Sequence, residues 1–324
     1  MEFREHRQED LITKMAPVAY IPSATCPRLL SFLDRISAGN QKLIDFVQRA
    51  VGYSMTGITT EQCLFFLYGT GANGKSTFLK VIQEIMGDYA QQADFTTFTA
   101  KKGDAIRNDL ARMKGARFIS AIETGDDKRF EEVLIKQITG GDRITARFLH
   151  QEFFEYTPTY KIWIAGNHKP VIRGTDDAIW RRIRLIPFTV KIPKNEQDPD
   201  LVEKLLEEKS GILNWMIAGC LQWQIQGLNP PVEVNQAVEN YRSEMDPIAG
   251  FLESACVVNP NTKVRSSQLF EAYLKWCTKN NEESISQKSF RVRMQEKGFT
   301  NKRGHGGFYY WYGIGILDDI HKNG

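Results

Sequence analysis

Cysteine is scarce and unpaired in this 324-residue sequence: Cys26, Cys63, Cys220, Cys256 and Cys277, with no CxxC pair among them. An odd, scattered set argues against a disulfide framework and a zinc ribbon, and fits a reducing compartment. Long apolar runs are missing too. None approaches the ~18 residues of a membrane span, and no apolar secretory segment follows the opening MEFREHRQED. The expectation is a cytoplasmic protein with no membrane partner. Repeats and low-complexity tracts are absent, which excludes a solenoid.

Nor does either charge dominate. Forty-two Lys+Arg against 39 Asp+Glu give a net +3, too little to name a partner. The distribution says more. Residues 1–245 carry 31 of each sign, residues 246–324 carry 11 basic against 8 acidic, and 286–305 hold six basic residues and one acid. Apolar material is present in ordinary amounts: 42% hydrophobic with 25% charged describes a globular chain with a real core, long enough for roughly two domains.

Apolar residues three and four apart in CPRLLSFLDRIS and QKLIDFVQRAVGY predict helices in an N-terminal segment, 1–55. The stretch REHRQEDLITKMAPVAYIPSA reads as the middle of something longer, so the natural protein is expected to extend upstream. Residues 56–190 alternate strand-like and helical runs, the pattern of an α/β core with a mainly parallel sheet. Residues 191–245 read as a helical extension with a Pro/Gly break at QGLNPPVEV.

Residues 246–324 read as a small separate domain. Ser266 or Ser267 can cap a helix over QLFEAYLKWCTKN, and Ser286 a second over QKSFRVRMQEKG, stopped by Gly298. GGFYYWYGIGIL then alternates like a β-ribbon, with its aromatic run expected in the core. Helix, turn, basic helix, ribbon is the order of a winged helix.

The sharpest signal is LFFLYGTGANGKSTFLKVI. Gly69-Thr70-Gly71-Ala72-Asn73-Gly74-Lys75-Ser76, followed by Thr77, satisfies G-x-x-x-x-G-K-[ST] between an apolar strand and a helix. Glycines let consecutive N–H groups surround an anion, and the helix start adds its positive dipole end. Lys75 should reach the β- and γ-phosphates while the Ser76 hydroxyl ligates Mg²⁺, so ATP and Mg²⁺ are the expected cofactors.

A cradle alone binds but hydrolyses poorly. The strand ARFISAIE ends at Glu123, placed to hold Mg²⁺ through water or to take the proton from an attacking water; a solvated strand-end glutamate has the same spacing. YKIWIAGNHKP ends in Asn167, whose amide can orient the lytic water. AIWRRIRLIPF puts Arg181 and Arg182 just before a further strand, and arginine suits a developing phosphoryl charge.

GTGANGKSTFLKVIQEIMGDYA, ISAIE, LIKQITGGDRITAR, KIWIAGNHKP and AIWRRIRLIPF, in that order, resemble the superfamily 3 helicase portion of phage/plasmid primase-helicases related to the poxvirus primase-helicase. The resemblance covers about residues 15–315. It implies an AAA+-type hexameric ring that hydrolyses ATP at subunit interfaces and draws single-stranded DNA through its centre, meeting forked DNA in replication. By position Lys75 and Ser76 match Walker A, Glu123 Walker B and Asn167 the sensor. Lys136 and Asp142 match the motif between them and are expected to help bind the nucleotide, and Arg182 is the better-aligned finger in trans, with Arg181 the alternative. The group's Walker B commonly has a second carboxylate close behind; here the run is Glu123-Thr-Gly-Asp126-Asp127, so either Asp126 substitutes across a wider gap or Glu123 does both jobs.

In the same group DRITARFLHQEFFEYTP would be a pore hairpin, which makes Arg147 and His150 candidates for touching the DNA backbone. Lys288, Arg291, Arg293 and Lys297 give the tail helix a basic face for a duplex. Such proteins often carry a primase-polymerase domain upstream. Nothing here resembles one, so primer synthesis is not expected of these residues. The competing expectations are an AAA+-type ATPase that remodels protein partners or assembles an initiator without unwinding, and a small-metabolite kinase.

Overall fold

LFFLY and KIWIAG are apolar along their whole length rather than in alternation, the pattern of strands covered on both faces. The computed structural model, which describes residues 4–100, 108–123, 125, 128–174 and 176–317, places both at the centre of a parallel sheet. The chain divides into two compact units, Met1–Glu239 and Asn240–Gly324.

In the first unit the strands are β1 (Leu64–Tyr68), β2 (Ala90–Gln92), β3 (Phe118–Ile122), β4 (Ile144–Ala146), β5 (Phe154–Tyr156), β6 (Lys161–Gly166) and β7 (Ile183–Pro187). Five of them form one sheet in the order β2-β3-β6-β1-β7, every neighbouring pair parallel. All its C-terminal strand ends therefore lie on one side. β4 and β5 stand apart as an antiparallel hairpin, with Ile144 opposite Tyr156 and Ala146 opposite Phe154.

The helices of this unit are α1 (Pro27–Ile36), α2 (Gln41–Met55), α3 (Lys75–Met86), α4 (Asn108–Arg112), α5 (Glu132–Gly140), α6 (Asp177–Trp180), α7 (Leu201–Leu206), α8 (Lys209–Gln226) and α9 (Val232–Glu244), the last running across the unit boundary. Phe65, Leu67, Trp163 and Ala165 share one core with α1, α2, α3, α7 and α8. Within it Phe65 stacks on Trp163 with centroids 4.4 Å apart. Phe66, one residue on, points to the other face and meets Phe130 edge-on.

α2 and α8 cross with almost no side chain between them. A Cβ on Gly52 would lie 2.0 Å from the Cys220 nitrogen, and one on Gly219 would lie 2.1 Å from the Gln48 carbonyl oxygen. Only hydrogen fits at either point. Lys161, which opens β6, is buried beneath this helix pair's end: its ammonium donates to the carbonyls of Thr56 and Ile58 and lies 4.5 Å from the Tyr53 ring centroid. Burial, reinforced by the charge of Arg117, pushes its pKa down to about 7.

The second unit contains α10 (Ala249–Ala255), β8 (Cys256–Arg265), α11 (Ser266–Asn280), α12 (Gln287–Glu296), β9 (Thr300–Arg303) and β10 (Tyr309–Ile316). The strands form an antiparallel sheet in the order β8-β10-β9, which packs with α10–α12 around Phe251, Tyr273, Phe290 and Trp311. Ser286 caps α12 by accepting from the Ser289 N–H. The expected cap on α11 is absent: Arg265 takes the N-cap position and makes no side-chain cap, while Ser266 accepts a hydrogen bond from Asn301 Nδ2.

Candidate functional site

Parallel β1, β3 and β6 end side by side, and the loops that leave them converge. Between them lies a cavity of about 280 Å³ lined by residues 71–77, Ile122, Glu123 and 165–167. After β1 the chain turns through Gly71 and Ala72, both at positive φ, to Gly74, the N-cap of α3 at φ +83°. A side chain on Gly74 would be strained there and would press on Phe32 and Ile36.

Lys75 is 6% exposed, and its ammonium is held by the Gly69 carbonyl (2.6 Å), Asn73 Oδ1 (2.9 Å) and Asn167 Oδ1 (3.1 Å). Burial lowers its pKa, against the opposing pull of Glu123. Asn73 is itself fixed, donating through Nδ2 to the Phe188 carbonyl. Ser76 and Thr77 line the cavity; Gly69 contributes its carbonyl, and Thr70 is exposed.

Glu123 and Asn167 meet across the strand ends. The Glu123 side chain is 4% exposed, and its Oε2 accepts from two successive backbone N–H groups, of Asn167 (2.8 Å) and His168 (2.9 Å). Its other oxygen lies 3.4 Å from His168 Nδ1. Asn167 Oδ1 also accepts from the Gly71 N–H at 3.2 Å. One amide thus joins the loop after β6 to the glycine-rich loop after β1 and to the lysine. His168 was not singled out from the sequence; its only signal was adjacency to Asn167. Asp126 and Asp127 lie outside the described residues.

Arg181 and Arg182 sit far from this cavity. They precede β7, and Ile183 is level with Leu64 at the start of β1, whereas Tyr68 at the cavity end is level with Pro187. The five rises from Arg182 to Pro187, at ~3.3 Å each, put roughly 16 Å between the arginines and the cavity end. The two arginines also face different ways. Arg182 is 7% exposed and donates to Thr139 Oγ1 (3.1 Å) and the Ala178 carbonyl (2.6 Å); Arg181 is exposed. Arg182, the better-aligned of the two by sequence, is thus engaged inside its own unit, whereas Arg181 is open to solvent.

Lys136 and Asp142, matched by position to the nucleotide site, are not brought to the cavity either. Lys136 pairs with Asp176 at 2.7 Å, and Asp142 follows α5 beside Arg182, whose charge it supports together with Asp176. They belong to a polar cluster that joins α5, α6 and β7. Asp176 caps α6 by accepting from the Ile179 N–H, another residue the sequence reading passed over.

In the loop of the β4–β5 hairpin, His150 sits at φ +61° and the Arg147 guanidinium lies 4.6 Å from the Phe153 ring centroid. Phe153 is 63% exposed and Leu149 56%. In the second unit the four basic residues of the tail helix do not make one face. Lys288 and Arg291 border a groove with Tyr309, Lys297 is paired with Asp246 at 2.5 Å, and half-buried Arg293 lies near Tyr273. The aromatic run also divides: Trp311 is in the core, while Phe308, Tyr309 and Tyr312 are exposed. Period-two alternation turns Tyr310 and Tyr312 away from the face of Trp311, and Tyr309, on Trp311's side, borders the groove rather than the core, so the run as a whole is not core.

Residues 67–182, which span the cavity and the arginine pair, match a family described only as of unknown function. Residues 243–317 match the family described as poxvirus D5 protein-like. The resemblance is to the poxvirus primase-helicases. Among curated proteins the chain is 27% identical over 303 residues to "Putative helicase L207/L206" of Acanthamoeba polyphaga mimivirus, covering 86% of this chain and 32% of that protein. It is 25% identical to "Putative helicase 022R" of Frog virus 3, with 72% and 26% covered, and 24% identical to "Putative primase C962R" of African swine fever virus, with 68% and 25% covered. The chain thus spans a quarter to a third of the length of these relatives. A solved apo structure of the NrS-1 C-terminal region aligns over 93% of this chain and 78% of its own, with a TM-score of 0.55 at 8% identity, a likeness of fold. Among the described residues no helix is long and apolar enough to cross a membrane.

Proposed function

We propose that this chain is the motor part of a replicative DNA helicase of superfamily 3: an AAA+-type P-loop ATPase that forms a hexameric ring and translocates on single-stranded DNA. The observation that carries the reading is the division of its chemistry between two ends of one sheet. Lys75, Glu123 and Asn167 meet at the C-terminal strand ends, and the arginines lie ~16 Å away at the start of β7. An arginine that cannot reach its own chain's phosphates can serve a neighbour's, as in a ring with sites at its interfaces.

In this reading the loop N–H groups and Lys75 bind the β- and γ-phosphates of ATP. Asn167 orients the attacking water, Glu123 accepts its proton, and exposed Arg181 of an adjacent copy stabilises the transferring phosphoryl group. Among the described residues no group of three His, Cys, Asp or Glu side chains could cage a metal. One carboxylate and one hydroxyl beside a phosphate site are the sparse set that Mg²⁺ takes, completed by phosphate oxygens and water. Ser76 and Glu123 would hold it, and it would neutralise charge on the phosphates. The hairpin bearing Arg147 and His150 contacts the strand, and the helix–helix–ribbon order of the second unit supports a winged-helix-like DNA-binding domain. A primase-polymerase domain elsewhere in the full protein is a fitting partner.

Mass in solution with a non-hydrolysable ATP analogue and an oligonucleotide, paired with ATPase rates with and without single-stranded DNA, tests the reading. Assembly to a ring and stimulated turnover are expected. A chain that stays a monomer yet turns over ATP at full rate would sink it. A ring without oligonucleotide stimulation would favour a protein-remodelling ATPase.

A further inference from the structure

The outward face of the three-stranded sheet in the second unit is not an ordinary solvated surface. On the first half of its central strand, before the bulge at Tyr312–Ile314, Trp311 points into the core, whereas Tyr310 and Tyr312 point away, together with Phe308 just before the strand. Phe308 is 49% exposed and Tyr312 38%. Their cross-strand neighbours are cationic. Tyr310 lies between Lys302 on β9 and Arg265 on β8, and Tyr312 is opposite Lys263. The Arg265 guanidinium lies 4.0 Å from the Phe308 ring centroid, and its Nε donates to the Tyr310 hydroxyl. Lys263 sits 5.6 Å from the Tyr310 centroid. No acid occurs in either cross-strand row.

We infer that this face binds single-stranded nucleic acid, with bases stacked on Phe308, Tyr310 and Tyr312 and phosphates on Lys263, Arg265 and Lys302. The inference rests on the nucleic-acid reading above and adds a second contact outside the hairpin. Three arguments carry it. Rings left in water beside cations form the combination that takes a base and its phosphate together, and stacking tolerates any sequence because every base has a π-face. Rings two residues apart on a strand are separated by ~6.7 Å, twice the ~3.4 Å between stacked bases in one strand of a duplex. Bases on adjacent rings must therefore be unstacked, which a single strand allows and a duplex resists. Finally, α12 is a poor duplex reader, since Lys297 is committed to Asp246 and Arg293 is half-buried.

The experiment uses the full chain with Arg147→Ala and His150→Ala to remove the hairpin's contribution, and labelled dT12, U12 and a 12-base-pair duplex as probes. Phe308→Ala with Tyr312→Ala should weaken single-strand binding at least tenfold, from roughly five- to hundred-fold per lost stacking ring, and leave duplex binding unchanged. Tyr312→Phe should restore most of the loss. Lys263→Ala with Arg265→Ala should flatten the dependence of log affinity on log salt by about 1.4 for two phosphates. A loss with dT12 alone assigns DNA, with U12 alone RNA, and with both the single-stranded class. Equal losses for duplex and single strand, or none, overturn the inference. Unchanged affinity of the ring variant alongside oligonucleotide-stimulated ATPase would leave the motor reading intact. An unaltered chain that shows neither binding nor stimulation would end both.

Discussion

Arg181 and Arg182 are adjacent in sequence and opposite in environment, so their alanine variants should fail in opposite ways. Arg182→Ala removes two hydrogen bonds from a buried guanidinium, to Thr139 Oγ1 and to the Ala178 carbonyl. Bonds made by a charged group are worth about 1.5–3 kcal/mol each. Allowing for relaxation, about 3 kcal/mol of the first unit's stability should go. In a unit of this size each kcal/mol moves Tm by about 2–4 °C, so the melting temperature should fall by roughly 6–12 °C. Arg181 is exposed and should leave Tm within about a degree, as surface changes do. Its loss should instead lower ATP turnover by roughly a thousandfold, the scale of a missing arginine finger. Calorimetry and steady-state ATPase assays on both variants settle it. Mixing Arg181→Ala with Lys75→Ala chains should recover some activity, because each supplies what the other lacks. The reasoning fails if Arg182→Ala melts like the unaltered protein while losing turnover, and Arg181→Ala keeps full turnover.

Other outcomes follow from the same geometry. Lys75→Ala should abolish hydrolysis and leave Asn167 Oδ1 with the Gly71 N–H, measurable as loss of phosphate release without loss of fold. Gly219→Ala should cost about 3 kcal/mol, seen in the urea midpoint, because its methyl would sit 2.1 Å from the Gln48 carbonyl and force α2 and α8 apart; an unshifted midpoint would show that the crossing yields. Lys161 has a folded pKa of about 7 against an unfolded value near 10.4, so the unfolded chain binds more protons between those limits. Its penalty is full below about pH 7 and lifts as pH rises toward 10. Stability should therefore increase with pH from 7 to 9 relative to Lys161→Met, and parallel curves for the two proteins would contradict the burial argument.

The convergence of the glycine-rich turn, Glu123 and Asn167 was legible because each is a local event: a strand, its last residue and the turn that follows. Parallel pairing then brings the strand ends together without further instruction. The arginine pair was legible as a pair but not in its facing. Which of two neighbours turns inward depends on Thr139 and the end of α6, contributed by other elements. Lys136 and Asp142 lie away from the cavity for a related reason, since α5 carries them toward the opposite end of the sheet. In the tail the period-two pattern was visible, yet the aromatic run was assigned whole to the core when only alternate rings could enter it. The α2–α8 crossing left no trace beyond two ordinary glycines, because its contacts are backbone against backbone.

The placement of the arginines along β7 has a kinetic corollary. If each polypeptide carries two unlike half-sites and no complete one, dilution does not merely slow the enzyme in proportion but takes catalysts apart. At low concentration the rate should climb more steeply than linearly with protein and become linear only once neighbours stay bound. A specific activity quoted without its concentration would then describe the association equilibrium as much as the chemistry.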